Sequence, residues 1–163
     1  LITLGNNFGR IVDIGLRTST IRTIDNIDVI IPNSHMIENE LINWSFTDNI
    51  VRVHIPVGVA YSSDVGLVRD TLLEVAQKLE HILDYPQPEA RFLEFGDSSL
   101  NFELLIWIDL SKIKMPLVKS ITNYSIWDAF KEKGIEVPFP QRDVWFRNGL
   151  KMEDPGKRPD RPE

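Results

Sequence analysis

The sequence predicts an α+β chain: a small, curved all-β module followed by a β-α-β-β-α-β module. Three observations predict it. Between residues 7 and 46 the apolar side chains come in short period-two runs, with no helical stretch longer than about a turn or two. At residue 51 the pattern changes to a long strict alternation, Val51, Val53, Ile55, Val57 and Val59, opposed by Arg52 and His54. Beyond it, two stripes at helical spacing flank a hairpin pattern, and this order of elements is the ferredoxin-like split βαβ arrangement. With 163 residues, 42% of them hydrophobic and 26% charged, the chain has the apolar content to bury cores of this size.

In the first module, Val12, Ile14 and Leu16 alternate with Asp13, Gly15 and Arg17, but Ile21 has the opposite parity. A bend or bulge within residues 15–20 is therefore expected, and a curved strand of this kind suits a small barrel. Asp25-Asn26 reads as a hairpin turn before Val29-Ile30-Ile31, and Pro32-Asn33-Ser34 stops that strand and offers a cap for a short helical turn. Ile42, Trp44 and Phe46 resume alternation, which places the module boundary at residues 47–49.

In the second module, Ser63 or Asp64 caps a helix with the stripe Val65, Val68, Leu72, Val75, Leu79 and Ile82, ending before Pro86. Residues 92–95 read as a strand, Gly96-Asp97-Ser98 as a turn, and Leu100, Phe102, Leu104, Ile106 and Ile108 as one face of the next strand. The hairpin is expected at the centre of the sheet. A second helix carries Leu117, Ile121, Tyr124, Trp127 and Phe130, with Gly134 placed to end it, and a last strand follows over residues 143–147. The domains are thus residues 1–48, residues 49–150, and a charged, Pro-rich tail at residues 151–163 with almost no apolar side chain.

The chemistry-bearing residues are sparse. There is no cysteine, so disulfides, thiolate metal sites and a cysteine nucleophile are excluded. His35, His54 and His81 lack the spacing of a helical metal site, and no serine sits in a Gly-x-Ser-x-Gly elbow. Gly5 to Arg10 lacks the Gly-Lys-Ser/Thr ending of a phosphate loop, and Asp25, Asn26 and Asp28 lack the glycine and closing glutamate of a calcium loop, so both read as turns. The net charge of -6 opposes general phosphate-backbone binding, and Glu103 and Asp109 beside Trp107 make a poor RNA platform. The expectation is no enzyme, no catalytic residue, no cofactor, no metal and no nucleic acid. No run of about 20 apolar residues is available to span a bilayer, and with Leu1 at its start the sequence reads as a piece of a longer protein.

Residues 9–23, Gly-Arg-Ile-Val-Asp-Ile-Gly-Leu-Arg-Thr-Ser-Thr-Ile-Arg-Thr, followed by Asp25 and Val29-Ile30-Ile31-Pro32-Asn33-Ser34, resemble the β domain of small-conductance mechanosensitive channels. Ile42-Asn43-Trp44-Ser45 resembles that domain's exit, Val57-Gly58-Val59-Ala60-Tyr61 the start of the α/β domain, and Pro138-Phe139-Pro140-Gln141-Arg142-Asp143-Val144 its closing segment. The resemblance covers residues 4–148 in order. It implies an Sm-like β barrel, then a ferredoxin-like domain. It also implies a homo-oligomer, a heptamer, around a cytoplasmic vestibule through which ions and small osmolytes pass when membrane tension rises in hypo-osmotic shock. Helices upstream of this chain would hold the whole protein in the cell inner membrane. The family-motif and interface residues it marks are Gly15, Arg17, Arg22, Pro32, Asn33, Ile42, Gln141 and Asp143. The alternative is a soluble Sm-like and ferredoxin-like RNA-binding or scaffold module.

Overall fold

The computed structural model describes residues 1–44, 48–140 and 142. The chain is α+β and builds two separate antiparallel sheets. The first contains β1 (Ile2–Leu4), β2 (Asn7–Ile14), β3 (Thr18–Thr23), β4 (Asp28–Pro32) and β5 (Leu41–Asn43) in the order β4-β3-β2-β1-β5, with the short helix α1 (Asn33–Glu38) between β4 and β5. The second contains β6 (Ile50–Val59), β7 (Glu89–Phe95) and β8 (Leu100–Asp109) in the order β6-β8-β7, with helices α2 (Val65–Lys78) and α3 (Met115–Lys133).

The first core is small: Ile2, Leu4, Ile21 and Ile31, with Ile11, Val29 and Met36 packed against it. Strand β1 escapes the period-two reading because three residues are too few to show a period. The expected single bend between residues 15 and 20 divides into two features. A bulge lies at Val12, where the β2–β3 register jumps between Ile11 and Asp13, and a tight turn closes with Gly15 N–H donating to Thr18 C=O at 2.8 Å. After the bulge, Val12, Ile14 and Leu16 are left exposed, so their alternation marks no core face. The turn at Asp25-Asn26 is present, with Asn26 in the left-handed region at φ 62°.

The second core is large and continuous. It takes Val51, Val53, Ile55 and Val59 from β6, the even face Leu100 to Ile108 of β8, Val68, Leu72 and Val75 from α2, and Val118, Ile126 and Phe130 from α3. Full burial of such side chains stabilises by about 1.5–3 kcal/mol each. Asp64 caps α2 by accepting from Leu67 N–H at 2.9 Å. The helix stops at Lys78, a turn before the end of its apolar stripe, and Leu79 and Ile82 reach the core from the turn that follows. Gly134, at φ 68°, ends α3 in the left-handed conformation.

Three expectations for this module change. Strand β8 alone is central and β7 is an edge strand, so the hairpin lies off-centre among the described residues. On the odd face of β8, Leu105 is buried between its register partners His54 and Glu89. On α3 the docked stripe is Val118, Thr122, Ile126 and Phe130, whereas Leu117, Tyr124 and Trp127 are exposed. The helix is apolar on both arcs, and the stripe that docks is chosen by the sheet beneath it, which helical spacing alone does not reveal. The strand expected at 143–147 and the tail lie outside the described residues.

Trp44 links the two cores. Its indole N–H donates to Thr3 Oγ1 at 2.8 Å, its ring meets Phe8 edge-on at 6.4 Å, and it packs against the second core.

Candidate functional site

The sequence motifs of the first sheet converge on its β2–β3 turn. Asn33 follows the last residue of β4, where Pro32, the register partner of Thr18, takes φ -59° and ψ 138° and turns the chain into α1. The Asn33 side chain does not cap α1. Its Nδ2 donates to Gly15 C=O at 2.9 Å, its Oδ1 accepts from Ser19 Oγ at 2.8 Å, and its backbone N–H donates to Arg17 C=O at 2.8 Å. Ser19 is buried, so this acceptor satisfies a hydroxyl that water cannot reach. Gly15, Arg17, Pro32 and Asn33 therefore form one lock that fixes the turn against the corner after β4.

Arg22 belongs to a second cluster. Its Nε and Nη2 donate to Asp28 Oδ1 and Oδ2 at 2.6 and 2.8 Å, a two-pronged pair between facing residues of β3 and β4. The pairing raises the Arg22 guanidinium above its ordinary pKa and lowers the Asp28 carboxyl below its own, the hydrogen bonds being the main cause in each case. Asp28 is thus committed to Arg22, and Asp25-Asn26 is committed to the hairpin turn.

Ile42 lies on β5, paired to Thr3 on one side and 44% exposed. Among the described residues β5 forms one edge of the sheet and β4 the other. Gln141 and Asp143 lie outside the described residues. Ile14 and Leu16 beside the lock, and Leu117, Tyr124 and Trp127 on α3, are exposed apolar residues that the sequence pattern does not mark as surface. The signal that finds them is a supply of apolar positions larger than one core of these dimensions can take in.

On the outer face of the second sheet several charged and polar side chains pair with one another. His54 Nδ1 and Glu103 Oε1 are 3.0 Å apart, the Arg52 guanidinium stands 5.6 Å from the centre of the Trp107 ring, and Arg91 Nη2 pairs with Glu89 Oε2 at 2.5 Å. Between the helices, Glu74 of α2 accepts from Lys78 at 2.7 Å and also from Lys133 of α3. Among the described residues no helix is long and apolar enough to cross a membrane.

The family model described as the mechanosensitive ion channel β-domain matches residues 1–46, and the model described as mechanosensitive ion channel MscS, C-terminal, matches residues 53–137. The chain belongs to the MscS family of mechanosensitive ion channels. Its relatives include an MscS family protein of Haemophilus influenzae, 34% identical over 148 residues, and the Escherichia coli mechanosensitive channel MscK, 35% identical over 147. These alignments take in 91% and 90% of this chain but 13% of each relative. Among solved structures, the closed state of Helicobacter pylori MscS superposes with a TM-score of 0.83 at 26% identity, covering 91% of this chain and 58% of that one. The MscS family consists of channels, not enzymes.

Proposed function

We propose that the chain forms the cytoplasmic vestibule of a mechanosensitive channel subunit that releases ions and small osmolytes when membrane tension rises. The observation that carries this reading is the superposition on closed MscS across both sheets at once, over 91% of the chain. In this reading residues 1–48 are an Sm-like β domain and residues 49–150 a ferredoxin-like domain. The β6-β8-β7 order supports the second assignment, because it is the 1-3-2 order of a split βαβ unit whose fourth strand, residues 143–147, would pair along β6. Residues 151–163 are the tail.

The vestibule is a homo-oligomeric ring, a heptamer, in which the edge strands β4 and β5 and the exposed apolar residues of the first sheet meet neighbouring subunits. Exposed strand edges and apolar patches both favour such coverage. Membrane helices outside this chain place the ring beneath the inner membrane, facing the cytoplasm. The cations on the outer face of the second sheet are paired within that face and form no basic patch among the described residues, which gives the RNA-binding alternative no support.

The test uses cells that lack their own mechanosensitive channels. Expression of the full-length subunit should rescue survival after abrupt hypo-osmotic dilution, and a version with this region deleted should not. Equal survival with and without the subunit contradicts the proposal.

A further inference from the structure

Arg10 on β2 and Arg22 on β3 are register partners and project from the same face of the first sheet. Like charges directly opposite each other weaken an antiparallel pair unless a counter-charge is supplied. Asp28 supplies one to Arg22. Arg10 has no ion-pair partner among the described residues. Lys114, just before α3, comes to the same place from the second module, also without an ion-pair partner among the described residues.

These three cations line one concavity of about 370 Å³ together with Leu1, Gly9, Thr23 and Asn26. The volume falls within the range of small-molecule sites, roughly 300–1,000 Å³. Its wall at Gly9 is bare backbone packed so closely on β3 that an added Cβ would stand 2.2 Å from Arg22 O. Thr23 Oγ1 accepts from Ile27 N–H at 3.2 Å, which leaves its own proton to donate outward, and the Asn26 amide adds further donors. Among the described residues no carboxylate and no aromatic ring lines the concavity. In a chain of net charge -6 this is a local reversal of sign, and its donors are of the kind that hold tetrahedral oxyanions.

We propose that this concavity binds a phosphate-bearing anion through Arg10, Lys114 and the face of Arg22 turned away from Asp28. With no stacking surface among the described residues, the phosphate itself is the recognised group, and the bearer is either a lipid headgroup or a soluble phosphate compound. The site does not rest on the vestibule reading and goes beyond it. Arg10 stands opposite a like charge, so the proposal makes a double demand on one residue: its loss should weaken binding without lowering stability.

The test is a titration of the chain, N-terminally acetylated so that the Leu1 amine carries no charge, with inorganic pyrophosphate, followed by amide chemical shifts. Saturable shifts are expected at residues 9–10, 22–26 and 114, weakening as salt rises. The Arg10→Ala/Lys114→Ala double variant should bind at least about tenfold more weakly, the loss expected when charge-assisted contacts are removed. Arg10→Ala alone should melt no lower than wild type. Asp28→Asn, which frees the Arg22 fork, should bind more tightly. In parallel, cosedimentation with phosphatidylglycerol vesicles, but not phosphatidylcholine vesicles, that depends on Arg10 and Lys114 assigns the site to a lipid headgroup. Pyrophosphate binding without vesicle binding assigns it to a soluble compound. Absence of saturable shifts, or equal binding by wild type and the double variant, overturns the proposal.

Discussion

The side-chain amide of Asn33 donates to the carbonyl of Gly15 at 2.9 Å, joining positions eighteen residues apart in the chain. The same side chain accepts from buried Ser19, so its removal leaves that hydroxyl without its acceptor. Asn33→Ala should cost about 1–3 kcal/mol, the range for leaving a buried polar group unsatisfied. Asn33→Asp, which keeps the acceptor for Ser19 and loses the donor to Gly15, should fall between the two. Thermal unfolding followed by circular dichroism measures both, and an unchanged midpoint for Asn33→Ala contradicts the lock.

Gly9 is required by the close approach of two strands. A Cβ there would meet Arg22 O at 2.2 Å and Arg22 C at 2.8 Å, and neither backbone atom can yield without parting β2 from β3. Gly9→Ala should destabilise by about 1–3 kcal/mol, as overpacking of an inflexible site does. Gly58→Ala is the control, since its nearest neighbour would be Ser99 Cβ at 3.4 Å. Denaturant unfolding should separate the two variants clearly, and equal midpoints would contradict the strand geometry.

Glu74 ties α2 to α3. Its hydrogen bonds to Lys133 and then Lys78 lower its pKa from the ordinary 4.5 to about 2. A carboxyl depressed in the folded state stabilises above its unfolded pKa, and that contribution is lost as the pH falls through the folded value. Wild type should therefore exceed Glu74→Gln in stability above pH 4.5, and the gap should close between 4.5 and about 2. The gap is small, because the carboxylate is 43% exposed and screened by solvent. Thermal midpoints of both proteins across that pH range provide the measurement, and a gap that persists at the acid end contradicts the assignment.

The second module was largely legible in the sequence, because β6, β8 and α2 each carry a long period that only one local structure satisfies. Asp64 was readable as a cap and Gly134 as a stop for the same reason: their chemistry acts locally. The first module was legible in its turns and family motifs but not in its faces. A single inserted residue at Val12 reverses which side of β2 faces inward, and the parity conflict with Ile21 announces an irregularity without placing it there. Asn33 shows a similar limit. Its residue type fits a helix cap, and only the fold brings Gly15 and Ser19 close enough to claim the side chain instead. The choice between the two stripes of α3 was likewise made by the sheet and not by the helix.

If β5 is an assembly edge, Ile42→Asp should shift association of the chain to higher concentration, whereas Lys131→Asp on the exposed surface of α3 should not. A buried aspartate loses the apolar contribution of isoleucine, up to about 1.5–3 kcal/mol per contact, and adds the cost of desolvating a charge. Sedimentation velocity over a dilution series reads the difference, with circular dichroism to confirm folding. Equal shifts for the two variants contradict the edge.

The central claim is that this chain serves a tension-gated pore, and the most direct test is pressure-clamp recording from giant spheroplasts that lack endogenous mechanosensitive channels and express the full-length subunit. Suction should open discrete channels at a reproducible threshold, and Ile42→Asp should reduce the number of channels per patch. Patches that contain the protein yet remain silent up to the lytic tension would contradict the account.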